Sequence, residues 1–487
     1  MKKLITLVFF LGILIQTQAN NIQVANISLE NLNEAQSWVH VEFDLTWENS
    51  WRVDAGPSNW DAAWVFVKYR ANSGDWAHAN LGTTDFNAPT GSEIKIAPQG
   101  IGAIIQRDSN GTGDVDFTDI QLRWNYGSVN TSDILDIQVF AIEMVYVPEG
   151  AFYVGGTTGD EANKFHEGGN TNTSYQVTSE NPITIANSAG NLYYVDSGVG
   201  TPGDQTGTLD AEFPKGYGAF YCMKYEVSQA QWIAFFNTLT ESQKLGNDIT
   251  DAEGKNSDAE ISRISVSWAG GTANATTTNP DVPVSYVRIS RMKAYLDWSG
   301  LRPMTELEFE KACRGPILPK AGEFAWGSAN ISSNDYTFAN IGETNESITN
   351  LEENTGNAIY NANDGTLTGP KRCGILAASA VNKTREETGG SYYGIMELSG
   401  NLYERCITVG TSRGRTFSGI HGNGIINSSG AGTVINWPFD DGDGLSYRGA
   451  SHINGPQFLR VSDRQDGANG FPGNNNRIGF RGVRTDF

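Results

Sequence analysis

The first part of the chain alternates apolar and polar residues with a period of two. Between positions 38 and 47 the apolar residues fall on one face of an extended chain: Val39, Val41, Phe43, Leu45 and Trp47. Similar stretches recur at 64–70, 93–97, 101–107, 120–126 and 137–147, separated by Gly, Asn, Asp and Ser. About seven short strands at this spacing predict an antiparallel β-sandwich over residues 20–142.

The pattern changes near residue 143, where long loops rich in Gly and Asn replace the alternation. Start and stop signals predict three short helices: one capped by Ser228 with Gln231, one from Ser290 to Gly300, and one from Thr305, with Glu308, to Gly315. We therefore expect an α+β protein with two domains, an all-β sandwich at 20–142 and a loop-rich domain at 143–487. Because no Gly/Ser- or Pro-rich linker separates them, the two domains should be rigidly coupled.

The N-terminus has the features of a secretory signal peptide. Lys2 and Lys3 precede the apolar run 4–15, and a polar stretch ending at Ala19 follows. The pattern predicts a signal peptide over residues 1–19 and a mature chain that is secreted, at the cell surface or in the periplasm. No Cys follows the run, so we do not expect a lipoprotein, and no later segment approaches the ~18 apolar residues of a membrane span.

Composition and charge exclude several functional classes. The formal net charge is −21 and only 18% of the 487 residues are charged. An acidic chain offers no broad basic surface for nucleic acid or anionic lipid, and its composition excludes a coiled coil. The four cysteines could pair in three ways if all were oxidised, or they could be buried thiols: Cys222, Cys313, Cys373 and Cys406.

One segment in the sandwich region is close to the pattern of a calcium-binding loop. It places oxygen-bearing residues at loop positions 1, 3, 5, 9 and 12, namely Asp108, Asn110, Thr112, Asp116 and Asp119, with Gly at position 6. The last position holds Asp where the pattern has Glu. The segment therefore predicts either a calcium site or a plain polar hairpin loop.

The second region carries a set of motifs in a fixed order. They lie at 144–152 (MVYVPEGAF), 225–232 (YEVSQAQW), 301–315 (LRPMTELEFEKACRG), 324–327 (FAWG), 393–404 (YGIMELSGNLYE), 447–451 (YRGAS) and 477–484 (RIGFRGVR). As an ordered set they closely resemble the formylglycine-generating enzyme (sulfatase-modifying factor) family, a variant of the C-type lectin-like fold. The resemblance covers residues 143–487 and implies irregular backbone with little regular secondary structure.

The resemblance does not extend to the catalytic cysteines. The family's enzymes convert a substrate Cys to formylglycine with copper held by two cysteines, which follow the segment corresponding to Gly449–Ser451. Here the window 452–464 contains no Cys. Because Cu(I) needs soft thiolate ligands, we expect no copper. A related branch holds iron through three histidines, but His166, His421 and His452 are dispersed, so we expect no iron. We assign no catalytic residue.

The resemblance also implies structural calcium. In the first family site the matching residues are Glu404, the carbonyls of Gly400 and Leu402, and Glu397 at an upstream ligand position. A second site would begin at Asn340–Ile341, although an insert at about 343–370 obscures its later ligand. Alternatively, Glu404 is a buried carboxylate that accepts hydrogen bonds from loop amides.

Taken together, these observations predict a secreted bacterial surface protein whose second domain binds or supports a partner without catalysis. We expect a protein or glycan ligand, and an enzyme with altered chemistry is the alternative. The loops after Ser451 and around Trp437 mix aromatic anchors with polar groups, and they supply the candidate ligand-binding residues Trp437, His452, Asn454, Phe458, Arg464 and Phe471.

Overall fold

The computed structural model describes residues 21–157, 161–363, 367–438 and 440–487. The predicted signal peptide, residues 1–19, lies outside these ranges. In the described part of the chain, no helix is long and apolar enough to cross a membrane.

The first region contains eight strands: β1 (Gln23–Asn33), β2 (Trp38–Arg52), β3 (Asp61–Ala71), β4 (Ala77–His78), β5 (Ser92–Ile96), β6 (Ala103–Arg107), β7 (Gly111–Asn125) and β8 (Leu135–Val147). One sheet has the order β1-β2-β7, and β8, β3, β6 and β5 are neighbours in a second sheet. The predicted inward face of β2 is buried, from Val39 at 5% exposed to Phe43 at 0%, against Val65, Ile105 and Leu122. The chain thus forms the predicted β-sandwich.

The second region contains shorter elements. Its strands are β9 (Phe152–Val154), β10 (Phe165–Glu167), β11 (Tyr175–Val177), β12 (Ile183–Ile185), β13 (Leu192–Tyr194), β14 (Gly207–Leu209), β15 (Phe220–Met223), β16 (Arg302–Thr305), β17 (Phe338–Ala339), β18 (Ser347–Ile348), β19 (Tyr403–Ile407), β20 (Leu445–Arg448), β21 (Ile478–Gly479) and β22 (Gly482–Thr485). Its α-helices are α1 (Gln229–Asn237), α2 (Glu241–Asn247), α3 (Ile289–Ser299), α4 (Glu306–Arg314), α5 (Ile375–Ser379) and α6 (Ser412–Arg415), and 3₁₀ turns lie at Pro98–Gly100 and Pro456–Leu459.

The three predicted helices are α1, α3 and α4, and the sequence signals mark their predicted ends except the start of α3. That helix begins at Ile289 after an Arg288 that makes no side-chain cap, so the predicted start at Ser290 lies inside the helix. Ser228 and Thr305 both form complete capping boxes, and Gly300 ends α3 with a left-handed φ of 74°. Helix α2 was not predicted, although Thr240 and Gln243 cap it in the same way. The fold is therefore α+β, with strands predominating.

A single sheet joins the two regions. Its strand order is β20-β19-β16-β22-β15-β8-β3-β6-β5, with β21 paired to β19 and β4 paired to β3. Strand β8 pairs with β3 from Leu135 to Val145 and with β15 from Met144 to Val147. The predicted domain boundary after residue 142 falls inside this strand, so the backbone hydrogen bonds continue from one region into the other.

The outer face of β3 also packs on the second region. Trp64 is fully buried and its indole Nε1 donates to the carbonyl of Ser299, at the end of α3, at 2.7 Å. Phe66 packs edge-on against Trp298 of the same helix, with 5.0 Å between ring centroids. Strand β3 is thus buried on both faces, which explains its almost continuous apolar sequence.

The predicted calcium loop at 108–119 does not form a loop. Asp108 and Asn110 lie in the turn before β7, whereas Thr112, Asp116 and Asp119 lie within that strand. An extended strand rises by about 3.4 Å per residue, so Thr112 and Asp119 are separated by about 24 Å. Strand pairing with β2 therefore places these five residues too far apart to surround one ion.

The four cysteines are free and buried. Cys222, Cys313 and Cys406 share one apolar cluster with Val145 and Phe309, and Cys373 has its sulfur 3.7 Å from the carbonyl oxygen of Glu226. Of the two alternatives that the sequence left open, the structure shows buried thiols rather than disulfides.

Candidate functional site

The window after Ser451, where the resemblance places catalytic cysteines, begins and ends with buried residues and is partly exposed between them. His452 is 1% exposed, and its backbone N–H donates to the carbonyl of Asn401 at 2.8 Å. The backbone N–H of Ala362 in turn donates to the carbonyl of His452 at 2.7 Å. Burial lowers the pKa of His452 to about 4, so the imidazole is neutral at pH 7.

The six candidate ligand-binding residues differ in burial. Trp437 is 2% exposed, and its Nε1 donates to the carbonyl of Ile420 at 2.9 Å. Asn454 accepts the hydroxyl hydrogen of Ser451 at 2.5 Å, and Phe458 is half-buried against a cluster that contains Trp326. His452 is buried as well, so Trp437 and His452 pack into the interior and do not belong to the predicted binding surface, whereas Asn454 and Phe458 are only partly buried.

Arg464 and Phe471 complete the set. The Nε of Arg464 lies 2.6 Å from Oε2 of Glu306, and the guanidinium stacks on Phe165 at 4.0 Å from the ring centroid. Arg464 is fully buried, whereas Phe471 is 42% exposed. The ion pair holds the Arg464 guanidinium in the interior, where it cannot contact a partner.

The first candidate calcium site lies in a cluster of buried carboxylates. Glu404 Oε1 accepts from Nε of Arg481 at 2.5 Å, and Glu397 Oε1 accepts from the backbone N–H of Gly374 at 3.0 Å. The second oxygen of each carboxylate, Oε2, is buried and has no hydrogen-bond partner among the described residues. Two buried acceptor oxygens therefore remain available at this place.

A third carboxylate, which the sequence analysis missed, completes the cluster. Glu226 accepts from Asn401 Nδ2 at 2.9 Å and from the backbone N–H of Leu402 at 3.0 Å, within the segment that holds the calcium candidates. Burial and the charges of Glu404 and Glu397 raise the pKa of Glu226 well above its ordinary value. The motif at 225–232 contained this residue, but its distance in sequence from Glu404 concealed the contact.

The pKa values show how costly these charges are without a cation. Burial raises the pKa of Glu397 to about 7 and also raises that of Glu404, although Arg481 acts in the opposite direction on both. Within the described ranges, no group of three or more His, Cys, Asp or Glu side chains is arranged to hold a metal. An ion at this place would therefore depend on backbone carbonyls, including those of Gly400 and Leu402, besides the two free carboxylate oxygens.

The second candidate site lies at the surface. Asn340 and Ile341 are exposed in the turn between β17 and β18, and the carbonyl of Asn340 accepts from the backbone N–H of Glu343 at 2.9 Å. Nearby, Glu346 is buried and pairs with Arg263. The Glu346 carboxylate is thus neutralised by an arginine.

The three histidines considered for iron have separate surroundings. His166 Nδ1 lies 2.7 Å from the carbonyl oxygen of Glu167, and His421 Nε2 accepts from the backbone N–H of Thr485 at 3.0 Å. His452 Nδ1 lies 3.3 Å from the carbonyl oxygen of Asn401. The three rings are held by different parts of the chain.

A comparison with known families identifies the second region. The profile of the sulfatase-modifying factor enzyme 1-like domain matches residues 138–486, which is more than half of the chain. The chain belongs to this family. The match begins within β8 and ends one residue before the C-terminus, so the sulfatase-modifying-factor domain includes most of the strand that it shares with the sandwich.

The chain is also similar to parts of named proteins. It is 30% identical over 153 residues to a formylglycine-generating enzyme of Bos taurus. The aligned segment covers 28% of this chain and 40% of that protein. It is 41% identical over 63 residues to a hercynine oxygenase of Mycolicibacterium smegmatis, covering 13% of this chain and 14% of that protein. The chain thus spans less than half of the length of these relatives.

The sulfatase-modifying-factor domain and the sandwich enclose a cavity of about 490 Å³ between them. The sandwich contributes Lys68, Trp76 and His78, and the other domain contributes Trp298 and Gly424. Sequence reasoning missed this cavity because its two walls come from segments more than 130 residues apart.

Proposed function

We propose that the chain is a secreted surface protein whose sulfatase-modifying-factor domain binds a partner and does not generate formylglycine. The observation that carries the proposal is the window 452–464, which holds no Cys and whose first residue, His452, is hydrogen-bonded to the backbone of Asn401 and Ala362. The resemblance places both copper-binding cysteines of the family's enzymes in this window.

The chain's own cysteines are poor substitutes for that pair. All four are buried, and burial raises the pKa of Cys222 to about 12. The thiolate is both the nucleophile and the metal ligand, and an apolar environment disfavours it. Cys222 and Cys406 lie in strands of the central sheet, where their sulfurs fill space between packed side chains.

A turnover assay tests this proposal directly. The mature chain would be incubated with copper and a Cys-containing sulfatase peptide, with the bovine formylglycine-generating enzyme as the positive control. We expect mass spectrometry to detect no formylglycine with the chain under conditions in which the bovine enzyme converts the peptide. Formation of formylglycine by the chain would overturn the proposal.

Secretion is a separate part of the proposal, supported by the charged and apolar pattern of residues 1–19. Expression of the full chain in a bacterial host, followed by N-terminal sequencing of the exported protein, tests it. We expect a mature N-terminus at Asn20. A chain that stays in the cytoplasm with Met1 intact would contradict the signal-peptide prediction.

We further propose that the carboxylate cluster binds a structural calcium ion. Hard oxygen ligands suit Ca²⁺, and the Oε2 atoms of Glu397 and Glu404 are buried without a hydrogen-bond partner among the described residues. A divalent cation would offset the negative charge of Glu226, Glu397 and Glu404, which Arg481 compensates only in part. The ion would stabilise a region of the domain that consists mostly of loops.

Thermal unfolding with and without calcium tests the ion. We expect calcium to raise Tm and chelation to lower it, because a ligand that binds only the folded state stabilises that state. The Glu404→Gln variant should lose the calcium-dependent shift. Glu308→Gln is the matched control, since Glu308 is also a buried carboxylate paired with an arginine, Arg302, and lies outside the cluster. A Tm that does not respond to calcium in the unaltered chain would refute the site.

A further inference from the structure

The cavity between the sandwich and the sulfatase-modifying-factor domain has the size of a small-molecule site. Its volume of about 490 Å³ lies within the range of roughly 300–1,000 Å³ that is typical of ligand pockets, which are often found at domain interfaces. Strands β3 and β4 form one wall, and α3 with the loop after Gly422 forms the other. Neither wall belongs to the window after Ser451.

Most polar side chains that line the cavity already bond to the protein. Gln243 donates to the carbonyl of Asn427 and accepts from the backbone N–H of Thr240, both at 3.0 Å. Asn423 donates to the Thr433 hydroxyl at 3.0 Å and accepts from the backbone N–H of Ile425 at 2.8 Å. These amides shape the wall and have little remaining capacity for a ligand.

Lys68 and His78 differ from these residues. They are direct cross-strand partners in β3 and β4, so their side chains lie on the same face of the sheet. Lys68 is 2% exposed, and its ammonium, which has three N–H donors, has one hydrogen-bond acceptor among the described residues, the carbonyl of Gly424 at 2.8 Å. The His78 ring lies against the same glycine, since a Cβ at Gly424 would lie 2.3 Å from ring atoms of His78.

The free nitrogen of His78 is a hydrogen-bond acceptor. Its Nε2 lies 2.6 Å from the carbonyl oxygen of Ile101, which can only accept, so Nε2 carries the proton. Burial and the charge of Lys68 lower the pKa of His78 well below its ordinary value, so the ring is neutral. Nδ1 therefore presents a lone pair, and it is buried without a partner among the described residues.

A hydroxyl group matches this pair of groups. It can donate to Nδ1 of His78 and accept from the ammonium of Lys68. A carboxylate would be repelled by the lone pair on Nδ1 of His78. It would also be repelled by the negative charge of Asp297, which acts on Lys68 as well. The donor and acceptor pattern thus favours a neutral, hydroxyl-bearing ligand over an anion.

The remaining wall is apolar and aromatic. Trp76 is half-buried with the Arg70 guanidinium 5.0 Å from its ring centroid, and Ile101 and Ile425 also line the cavity. We propose that this cavity binds a neutral carbohydrate unit, with its hydroxyls on Lys68 and His78 and its apolar face on Trp76. The inference rests on the proposed function as a binding protein and specifies the ligand class.

Ligand-observed NMR on the full mature chain tests the inference. The probes are glucose, galactose, mannose and N-acetylglucosamine at millimolar concentration, with glucuronate as the anionic comparator. We expect saturation transfer to at least one neutral sugar and weaker transfer to glucuronate. The Trp76→Ala and Lys68→Met variants should each weaken sugar binding by about tenfold or more, as expected for central anchor residues.

Trp38→Ala is the matched control. Like Trp76, Trp38 is a half-buried tryptophan of the sandwich beside an arginine, with the Arg123 guanidinium 5.3 Å from its ring centroid. Unlike Trp76, it does not line the cavity. We expect it to bind like the unaltered chain. If Lys68→Met fails to fold, Trp76→Ala decides the result.

Three outcomes would overturn the inference. They are no transfer to any neutral sugar, preference for glucuronate, or sugar binding that Trp76→Ala leaves unchanged. Formylglycine formation in the separate turnover assay would instead overturn the proposed function.

Discussion

Six buried side chains of alternating charge cross the sulfatase-modifying-factor domain in the order Glu323, Arg314, Glu310, Arg448, Glu306 and Arg464. Each is at most 2% exposed, and the N–O distances include 2.7 Å for Arg448 with Glu310 and 2.6 Å for Arg464 with Glu306. Three carboxylates and three guanidiniums balance in charge. The network explains why arginines in a loop-rich region are fully buried.

Removing one member should destabilise the fold. Arg464→Ala would leave Glu306 with one of its two arginine partners and an open space beside Phe165, and breaking a buried ion pair typically costs about 3–5 kcal/mol. Urea denaturation should show a loss of this size. Arg288→Ala, which removes an exposed ion pair with Glu253, should change the unfolding free energy by less than about 1 kcal/mol. Equal effects of both substitutions would contradict the structural role of Arg464.

Asp463 should make stability depend on pH. Burial raises the pKa of Asp463 to about 7 from its ordinary 3.8. Between these values the folded chain holds the proton and the unfolded chain does not, so stability should fall as pH rises from about 4 to about 7. One pKa unit corresponds to about 1.4 kcal/mol, so this residue should lower the free energy of unfolding by on the order of 4 kcal/mol across that pH range.

Asp463→Asn should make that part of the pH profile shallower, measured as the unfolding free energy in urea at pH 5 and pH 8. The exposed Asp85 serves as the control, and Asp85→Asn should leave the difference between the two pH values unchanged. A profile as steep in Asp463→Asn as in the unaltered chain would show that other carboxyl groups cause the dependence.

At the scale of elements, β8 is the strand on which both regions depend. Val145 pairs with Asp61 of β3 on one side and with Cys222 of β15 on the other. Proline cannot donate to the ladder and is disfavoured in central strands. We expect Val145→Pro to prevent folding of the whole chain, measured by far-ultraviolet circular dichroism and limited proteolysis.

The control for this substitution lies at the edge of the same sheet. Among the described residues, strand β5 pairs only with β6, so Lys95→Pro should disturb that edge and leave a folded, protease-resistant chain. If Val145→Pro left one region folded and the other digested, the two regions would be independent in spite of their shared strand.

The elements that the sequence predicted correctly are those with local signals. The period of two on β2 and the capping residues Ser228 and Thr305 depend on neighbours within a few positions, and the structure confirms them. The strand β7 was predicted to start near residue 120 but starts at Gly111, because pairing with β2 extends it through a polar sequence. Tertiary pairing overrides weak local preference there.

The candidate sites were harder to predict because their partners are distant in sequence. Glu226 reaches the segment of Glu404 across more than 170 residues, and Arg464 finds Glu306 across a similar distance. A loop position next to aromatic residues resembles a binding surface when only the sequence is known. Trp437 and Arg464 are buried and therefore do not belong to a binding surface. No local sequence pattern predicts that burial.

At the scale of the whole molecule, the two regions should unfold together. They share the sheet that runs from β20 to β5, and Trp64 and Phe66 pack into the second region. We expect a single calorimetric transition with equal calorimetric and van't Hoff enthalpies. Chelated and calcium-loaded samples should be compared, because an ion bound in one region only would shift the midpoint without dividing the transition. Two separate transitions would contradict this prediction.

The shared strand also limits how this protein can be recombined. A chimaera joined after residue 142 would take the first part of β8 from one parent and the last part from another. Both parts would still have to pair with β3 and β15 in one continuous sheet. The face of β3 that carries Trp64 and Phe66 would have to match the foreign α3 as well. Exchange of the sandwich between relatives should therefore succeed only when β3, β8 and α3 come from the same parent.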